Sequence, residues 1–181
     1  VVNFIKMPKL MREISYVQFF TWAGWFCMNA YFALGVAQNI YHLPVGANAS
    51  TSVQYSQLLE QGVVLGGLLF SGYTLVSFLY AFFIPHVSKL LTRKGTHIIS
   101  LFLGGAGLIS ANYLHTPWAL FIAMIGVGIA WASIVTIPYA MLAGSLPAEK
   151  MGLYMGLFNI TVTLPQIIAS ATLGIAVAYL F

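Results

Sequence analysis

The charged residues of this chain are few and bunched, and their spacing limits the folds open to it more than any other feature. All ten fall in four clusters: Lys6, Lys9, Arg12 and Glu13; Glu60 alone; Lys89, Arg93 and Lys94; and Glu149 with Lys150. The stretches between clusters, and the one after the last, are long enough for bilayer crossings, each of which takes about 20 mostly apolar residues in a helix. An ordinary soluble domain has roughly a quarter of its residues charged; here 6% are charged and 60% apolar over 181 residues. The chain is expected to be an integral membrane protein.

Five spans are read, at about 15–41, 62–86, 96–114, 117–142 and 151–180, within a single transmembrane domain covering 1–181. The expected fold class is all-α, a polytopic membrane helix bundle. No ten-residue alternation of apolar and polar residues recurs, as a membrane barrel would need. With five spans in this order, the segments 1–14, 87–95 and 143–150 share one side and hold all seven Lys and Arg residues. Positive charge collects on the cytoplasmic side, so the amino terminus is expected there and the long 42–61 loop outside. The basic balance thus reports topology and contact with the lipid bilayer, not nucleic acid. No cleavable signal peptide is recognisable before the first span. A start at Val1 with a basic tail is what the middle of a longer polypeptide would show.

Most enzyme chemistry lacks its residues. The chain has no aspartate, and its acids are Glu13, Glu60 and Glu149, far apart in sequence. A lone Cys27 gives neither a disulfide nor a CxxC metal site. The histidines stand at the ends of spans, His42 and His115 outside, His86 and His97 inside, and are expected to be interfacial. Gly104-Gly105-Ala106-Gly107 lies within an apolar span, where a phosphate-cradling loop has no place, so helix packing is its expected role. The chain is not expected to be an enzyme, and no cofactor or metal is expected. Asn48-Ala49-Ser50 matches a glycosylation sequon in the outer loop; Asn159-Ile160-Thr161 matches too, but inside a span.

Small residues recur four apart at Gly62/Gly66, Gly126/Ala130, Gly128/Ala132 and Gly152/Gly156, the spacing that lets membrane helices approach closely. Polar residues recur at helical spacing as well. Gln18, Trp22, Trp25 and Asn29 step by four, three and four, and Asn159, Thr163, Gln166 and Ser170 repeat those steps. At about 100° per residue each set forms one narrow stripe. Amides are costly in hydrocarbon, so the stripes are expected to face the bundle interior or a water-filled cavity. Amides exchange hydrogen bonds with hydroxyls and an indole stacks on the C–H face of a pyranose, a pairing that suits a sugar. Polar glue between helices is the other reading, and periodicity alone leaves both open. Tyr73, Ser77 and Tyr80 form a third stripe, and Trp131, Ser133, Thr136 and Tyr139 surround Pro138. Proline frees a helix carbonyl, and broken helices often border transporter sites.

Several segments carry a family resemblance. Met7-Pro8-Lys9 with Tyr16-Val17-Gln18-Phe19-Phe20-Thr21-Trp22 resembles the start of the seventh helix of bacterial sugar–cation symporters. These form the sucrose/disaccharide–proton branch of the major facilitator superfamily, near the glycoside–pentoside–hexuronide symporters. Arg93-Lys94-Gly95-Thr96-His97 resembles the basic loop between that family's eighth and ninth helices. Ile125 to Ser133 with Pro138-Tyr139-Ala140-Met141-Leu142 resembles the tenth helix, and Leu146 to Gly156 with Pro165-Gln166 the following loop and eleventh helix.

The resemblance implies a carboxyl-terminal half-transporter whose five spans correspond to helices seven to eleven, in a bacterial inner membrane. Its partners would be a sugar (disaccharide or glycoside), a proton or sodium ion, and the amino-terminal half or other membrane subunits. The residues expected to contact substrate are Gln18, Trp22, Trp25, Asn29, Tyr73, Trp131, Asn159, Thr163 and Gln166. Two departures from the family pattern are the absent first six helices and the end at Phe181 before a twelfth. Thr74 also stands where an asparagine would follow Tyr73. With no charge inside any span, a proton-coupling group is expected on the half not represented. The alternative is a truncated, transport-inactive half-carrier that serves as a structural subunit of a larger membrane complex.

Overall fold

The computed structural model describes residues 7–48, 50 and 52–180. Lys6 of the first charge cluster and Ala49 of the sequon lie outside the described residues. Four helices make up the fold: α1 (Lys9–Tyr41), α2 (Val53–Ala111), α3 (Pro117–Ala143) and α4 (Met151–Leu180), with a 3-10 turn at Ala148–Lys150 before α4. The described residues contain no strand. Helices start and stop where local chemistry directs. After Tyr41 the chain enters the left-handed region at His42 (φ 57°), Leu43 N–H bonds back to the Ala37 carbonyl at 3.0 Å, and Pro44 bars further helix. Thr116 caps α3 through Ala119 N–H at 3.4 Å, with Pro117 in the first helical position, where its missing N–H costs nothing.

Two boundaries differ from the sequence reading. The connection after α1 is 42–52 rather than 42–61, because Val53 to Gln61 already belongs to α2; Gln, Leu and Glu in that stretch are good helix formers. The basic residues Lys9 and Arg12 likewise begin α1 instead of preceding it.

Among the described residues, three helical stretches are long and apolar enough to cross a membrane: α2, α3 and Met151–Ile175 of α4. Gln18, Thr21, Asn29 and its tryptophans dilute α1 below that mark. Helix α2 covers two of the five expected spans in one run of 59 residues. At 1.5 Å per residue a straight rod of that length would reach about 90 Å, three times a hydrocarbon core of about 30 Å. It is not straight. Thr92 has φ 64° and ψ 160°, a region nearly reserved for glycine, costing about 1–3 kcal/mol. The arms fold back on each other there: the Tyr80 and Ser100 hydroxyls lie 3.4 Å apart, whereas a straight helix would separate those residues by about 30 Å. Thr92 caps the second arm, its Oγ1 accepting Gly95 N–H at 3.2 Å.

The chain divides into two compact units, one of residues up to Asn29 and from Pro138 onward, the other from Ala30 to Ile137. In the second unit glycines set the helix contacts. A Cβ on Gly62 would lie 2.5 Å from Ala37 Cβ, and one on Gly66 3.4 Å from Ala33 Cα. These pairs run in opposite order along the two helices, so the end of α1 and the first arm of α2 are antiparallel. The second arm and α3 zip together in the same sense: Gly107 abuts the Ala123 carbonyl, Gly104 the Ala130 side chain and Gly126 the Leu103 carbonyl. Gly128 fits against Tyr73 and Val76 of the first arm. Asn39 fastens the end of this unit where α2 finishes, its Nδ2 donating to the carbonyls of Ala111 (3.1 Å) and Leu114 (3.0 Å). Three of the four small-residue pairs read from the sequence thus lie at helix contacts.

The first unit has a core of Met7, Met11, Ile14, Leu142, Leu146 and Phe158, with Tyr139 edge-on to Phe158 at 5.3 Å. Here the fourth small pair differs from expectation: Cβ atoms on Gly152 and Gly156 would meet nothing within 4 Å. Large apolar side chains point outward along the helices of both units. Phe82 is 63% exposed, Phe102 76% and Ile122 70%, a display that soluble monomers avoid and lipid accommodates.

Candidate functional site

Helix α4 sorts its residues sharply around the axis. Phe158, Thr161, Pro165 and Ala169 are buried and recur at steps of three and four, the inward face. Asn159, Thr163 and Ser170 are exposed and Gln166 half-buried; with Gly152 and Gly156 they occupy an arc of roughly 80° at 100° per residue. The exposed aliphatics Leu153, Ile160, Leu164 and Ile168 fill the adjoining arc. One side of the open surface suits acyl chains, and the other carries hydrogen-bonding groups.

That polar face is pre-set by its own backbone. Thr163 Oγ1 donates to the Asn159 carbonyl at 3.1 Å and Gln166 Nε2 to the Val162 carbonyl at 2.9 Å. Such bonds to the preceding turn satisfy one donor and leave the amide oxygen of Gln166 available. Tyr139 of α3 reaches the same face, its hydroxyl donating to Asn159 Oδ1 at 3.4 Å on an exposed site. Pro165, fully buried, removes the N–H that would bond the Thr161 carbonyl, one turn below. Tyr139, Asn159, Thr163 and Gln166 together offer hydroxyl and amide groups in a row, a pattern able to bind a polyhydroxylated ligand.

The α1 stripe behaves differently along its length. Gln18 is fully buried and continues the Met11–Ile14 face, with Thr21 Oγ1 3.4 Å from its Oε1. Trp22 and Trp25 are half-buried and Asn29 is exposed, its Nδ2 donating to the Trp25 carbonyl at 2.9 Å. The stripe therefore passes from the interior to the surface. Tyr73 and Trp131 belong to the second unit. Tyr73 is buried with Phe70 edge-on at 5.4 Å, and Ser77 is buried one turn on, so that stripe serves packing there; Trp131 is half-buried.

Sequence reasoning did not select Tyr139 for the site, although it named it beside Pro138; only the fold shows its hydroxyl at Asn159. It also set His97 at an interface. The structure corrects this: His97 is 8% exposed and its Nδ1 is 2.7 Å from Ser133 Oγ, itself fully buried. The signal was present, since His97 stands seven residues before Gly104 on one helical face. His42, His86 and His115 are exposed. No group of three or more His, Cys or Glu able to hold a metal occurs among the described residues.

Comparison with known proteins adds an independent line. The chain is 26% identical to the sucrose transport protein SUT5 of Oryza sativa, subspecies indica and japonica, over 93% of this chain and 35% of the relative. It is also 26% identical to an uncharacterized MFS-type transporter of Methanocaldococcus jannaschii, over 67% of this chain and 32% of the relative. The chain thus spans about a third of the length of the curated relatives it matches. No family model matches it, and no solved structure does. The likeness to transporters of the major facilitator type, joined to long apolar helices, marks a multi-pass membrane protein related to transporters.

Proposed function

We propose that the chain forms one wall of the sugar cavity of a secondary active sugar–cation symporter, as its carboxyl-terminal half. The observation that carries this reading is the polar face of α4. Asn159 and Thr163 lie open and Gln166 half-open on a helix otherwise fit for lipid, joined by the Tyr139 hydroxyl at Asn159. Ionisable and amide groups at membrane depth face a bundle interior or a water-filled cavity. Facilitator-type carriers bind substrate at midplane between two repeats and rock them about it; the amino-terminal half supplies the opposite wall. Similarity to a protein named for sucrose transport favours a disaccharide or glycoside as substrate, with a proton or sodium ion as the coupled cation. Trp22 and Trp25 supply stacking faces for the sugar ring.

Five crossings fit this role, with the break at Thr92 turning α2 back at the cytoplasmic side beside Lys89, Arg93 and Lys94. On this reading the amino terminus is cytoplasmic and the 42–52 connection lies outside. The test is sugar binding by the full-length transporter in detergent, read from tryptophan fluorescence. Gln166→Ala and Tyr139→Phe should each weaken binding about tenfold, the loss of one or two hydrogen bonds in a shielded site. Unchanged affinity in both would remove α4 from the site.

A further inference from the structure

We propose that His97 is a pH-sensitive latch on the first turn of the second α2 arm, exposed and charged when that turn unwinds and buried and neutral when it is wound. The proposal rests on the symporter reading above, and it gives this half of the carrier a titratable group of its own.

In the wound state His97 is more than nine-tenths buried. Its Nδ1 meets Ser133 at 2.7 Å, and its Nε2 is buried with no hydrogen-bond partner among the described residues. A buried N–H left without an acceptor is rarer than an unfilled acceptor. This favours the tautomer in which Nδ1–H donates to Ser133 Oγ and Nε2 keeps a free lone pair. That lone pair is a base held out of water. It needs no bond made or broken beyond its own protonation: Nε2 takes a proton from water when the turn opens and returns it to water before the turn rewinds.

The surroundings oppose a charge on the ring. Arg93 and Lys94 occupy the first two positions of the arm, both exposed, next to the positive end of the helix dipole. From the first arm His86 and Lys89, both exposed, and the half-buried Tyr80 are the groups that titrate nearest in sequence; Tyr80 pairs with Ser100, three residues beyond His97. The residues of α3 from Pro117 to Ile137 include no charged or titratable side chain. The acid of this unit, Glu60, lies near the other end of the first arm. Within this unit no carboxylate is therefore at hand to stabilise imidazolium in the buried position, and protonation favours solvent.

The turn that covers His97 is also weakly built. It begins at Thr92, a β-branched residue at positive φ, which is strained. Two cations sit against the dipole, and the third helical position is Gly95, a poor helix former. Thr92 holds it through Oγ1 to Gly95 N–H and through its carbonyl to Thr96 Oγ1 at 2.8 Å. Unwinding this single turn brings Nε2 to water while the glycine zipper from Leu103 onward stays closed.

The experiment uses the full-length transporter in proteoliposomes, combining sugar counterflow with hydrogen–deuterium exchange of the 92–97 segment. For the wild type, exchange corrected for intrinsic rate should rise as pH falls from about 8 to about 5, the range in which histidine charges. His97→Gln should abolish that pH dependence, while its sugar counterflow at about pH 8, where the turn is wound in both proteins, stays within about twofold of the wild type. Exchange that keeps its pH dependence in His97→Gln would overturn the proposal. So would loss of counterflow at about pH 8, since a packing role explains that. Should His97→Gln not fold, Ser133→Ala keeps the base; retained pH-dependent exchange with a shifted midpoint supports the proposal, and flat exchange overturns it. A wild type with no sugar uptake would instead defeat the symporter reading, while the exchange profile still tests the latch.

Discussion

Gly128→Ala is the sharpest test of the helix contacts in the second unit. A Cβ there would stand 2.5 Å from the Tyr73 carbonyl oxygen and 2.8 Å from Val76 Cβ. A backbone oxygen cannot rotate aside, so α3 and the first arm of α2 must part by about 1 Å to restore van der Waals distances. Overpacking of this kind costs about 1–3 kcal/mol, offset by about 1 kcal/mol from alanine's better helix propensity. A net destabilisation of about 1–2 kcal/mol is expected. Gly152→Ala is the internal control: with nothing within 4 Å it keeps the propensity gain and should be neutral or stabilising by up to about 1 kcal/mol. Reversible unfolding in mixed detergent micelles, followed by circular dichroism, reads both. Equal stability of the two variants would refute the close approach of α3 to the first arm.

Three further outcomes are expected. Asn39→Ala should destabilise by about 1–3 kcal/mol in the same assay, since it removes two hydrogen bonds to the Ala111 and Leu114 carbonyls; Asn39→Asp, which has no amide to donate, should do no better. Cysteines at Ser50 and Ser145 should react with a membrane-impermeant maleimide from opposite faces, Ser50→Cys from outside, and labelling of both from one face would mean an even number of crossings between them in place of the three expected. Trp22→Ala should lower sugar affinity in the full transporter without lowering the amount inserted; if insertion falls and affinity does not, the indole is a packing residue.

Much of this fold is legible in the sequence because one physical fact dominates it. Charges cannot be left in hydrocarbon, so the gaps between Glu13, Glu60, Lys89 and Glu149 mark the apolar cores of the helices, but not their ends: α2 starts at Val53, ahead of Glu60, and runs through Lys89 to Lys94. Glycine spacing also foretold the contacts of Gly62, Gly66, Gly126 and Gly128, because only a missing Cβ allows backbone contact there. It failed at Gly152 and Gly156, which share the spacing but meet nothing in this chain; spacing states that a close approach is possible, not which surface makes it. The reversal at Thr92 was foreseen as a loop and is instead a single strained residue within helix, which no local preference of threonine announces. The candidate site was half legible. Periodicity alone assembled Asn159, Thr163 and Gln166 on one face, but Tyr139 joins them through a contact twenty residues away, and the stripe of Gln18, expected to face the interior or a cavity, is buried at Gln18 and exposed at Asn29. His97 was misread because its neighbours Arg93 and Lys94 are exposed, while one residue's rotation on the helix turns it inward to Ser133.

The central claim is that the polar face of α4 lines an aqueous sugar path while the adjoining aliphatic face meets lipid. It is tested most directly by comparing Thr163→Cys with Leu164→Cys, both at exposed positions but about 100° apart around the helix. Each is made in a full-length transporter with Cys27→Ser and alkylated by a charged aqueous reagent with and without saturating disaccharide. The account predicts rapid labelling of Thr163→Cys that sugar suppresses, and little labelling of Leu164→Cys under either condition. Equal labelling at the two positions, or labelling of Thr163→Cys that sugar leaves untouched, would contradict it.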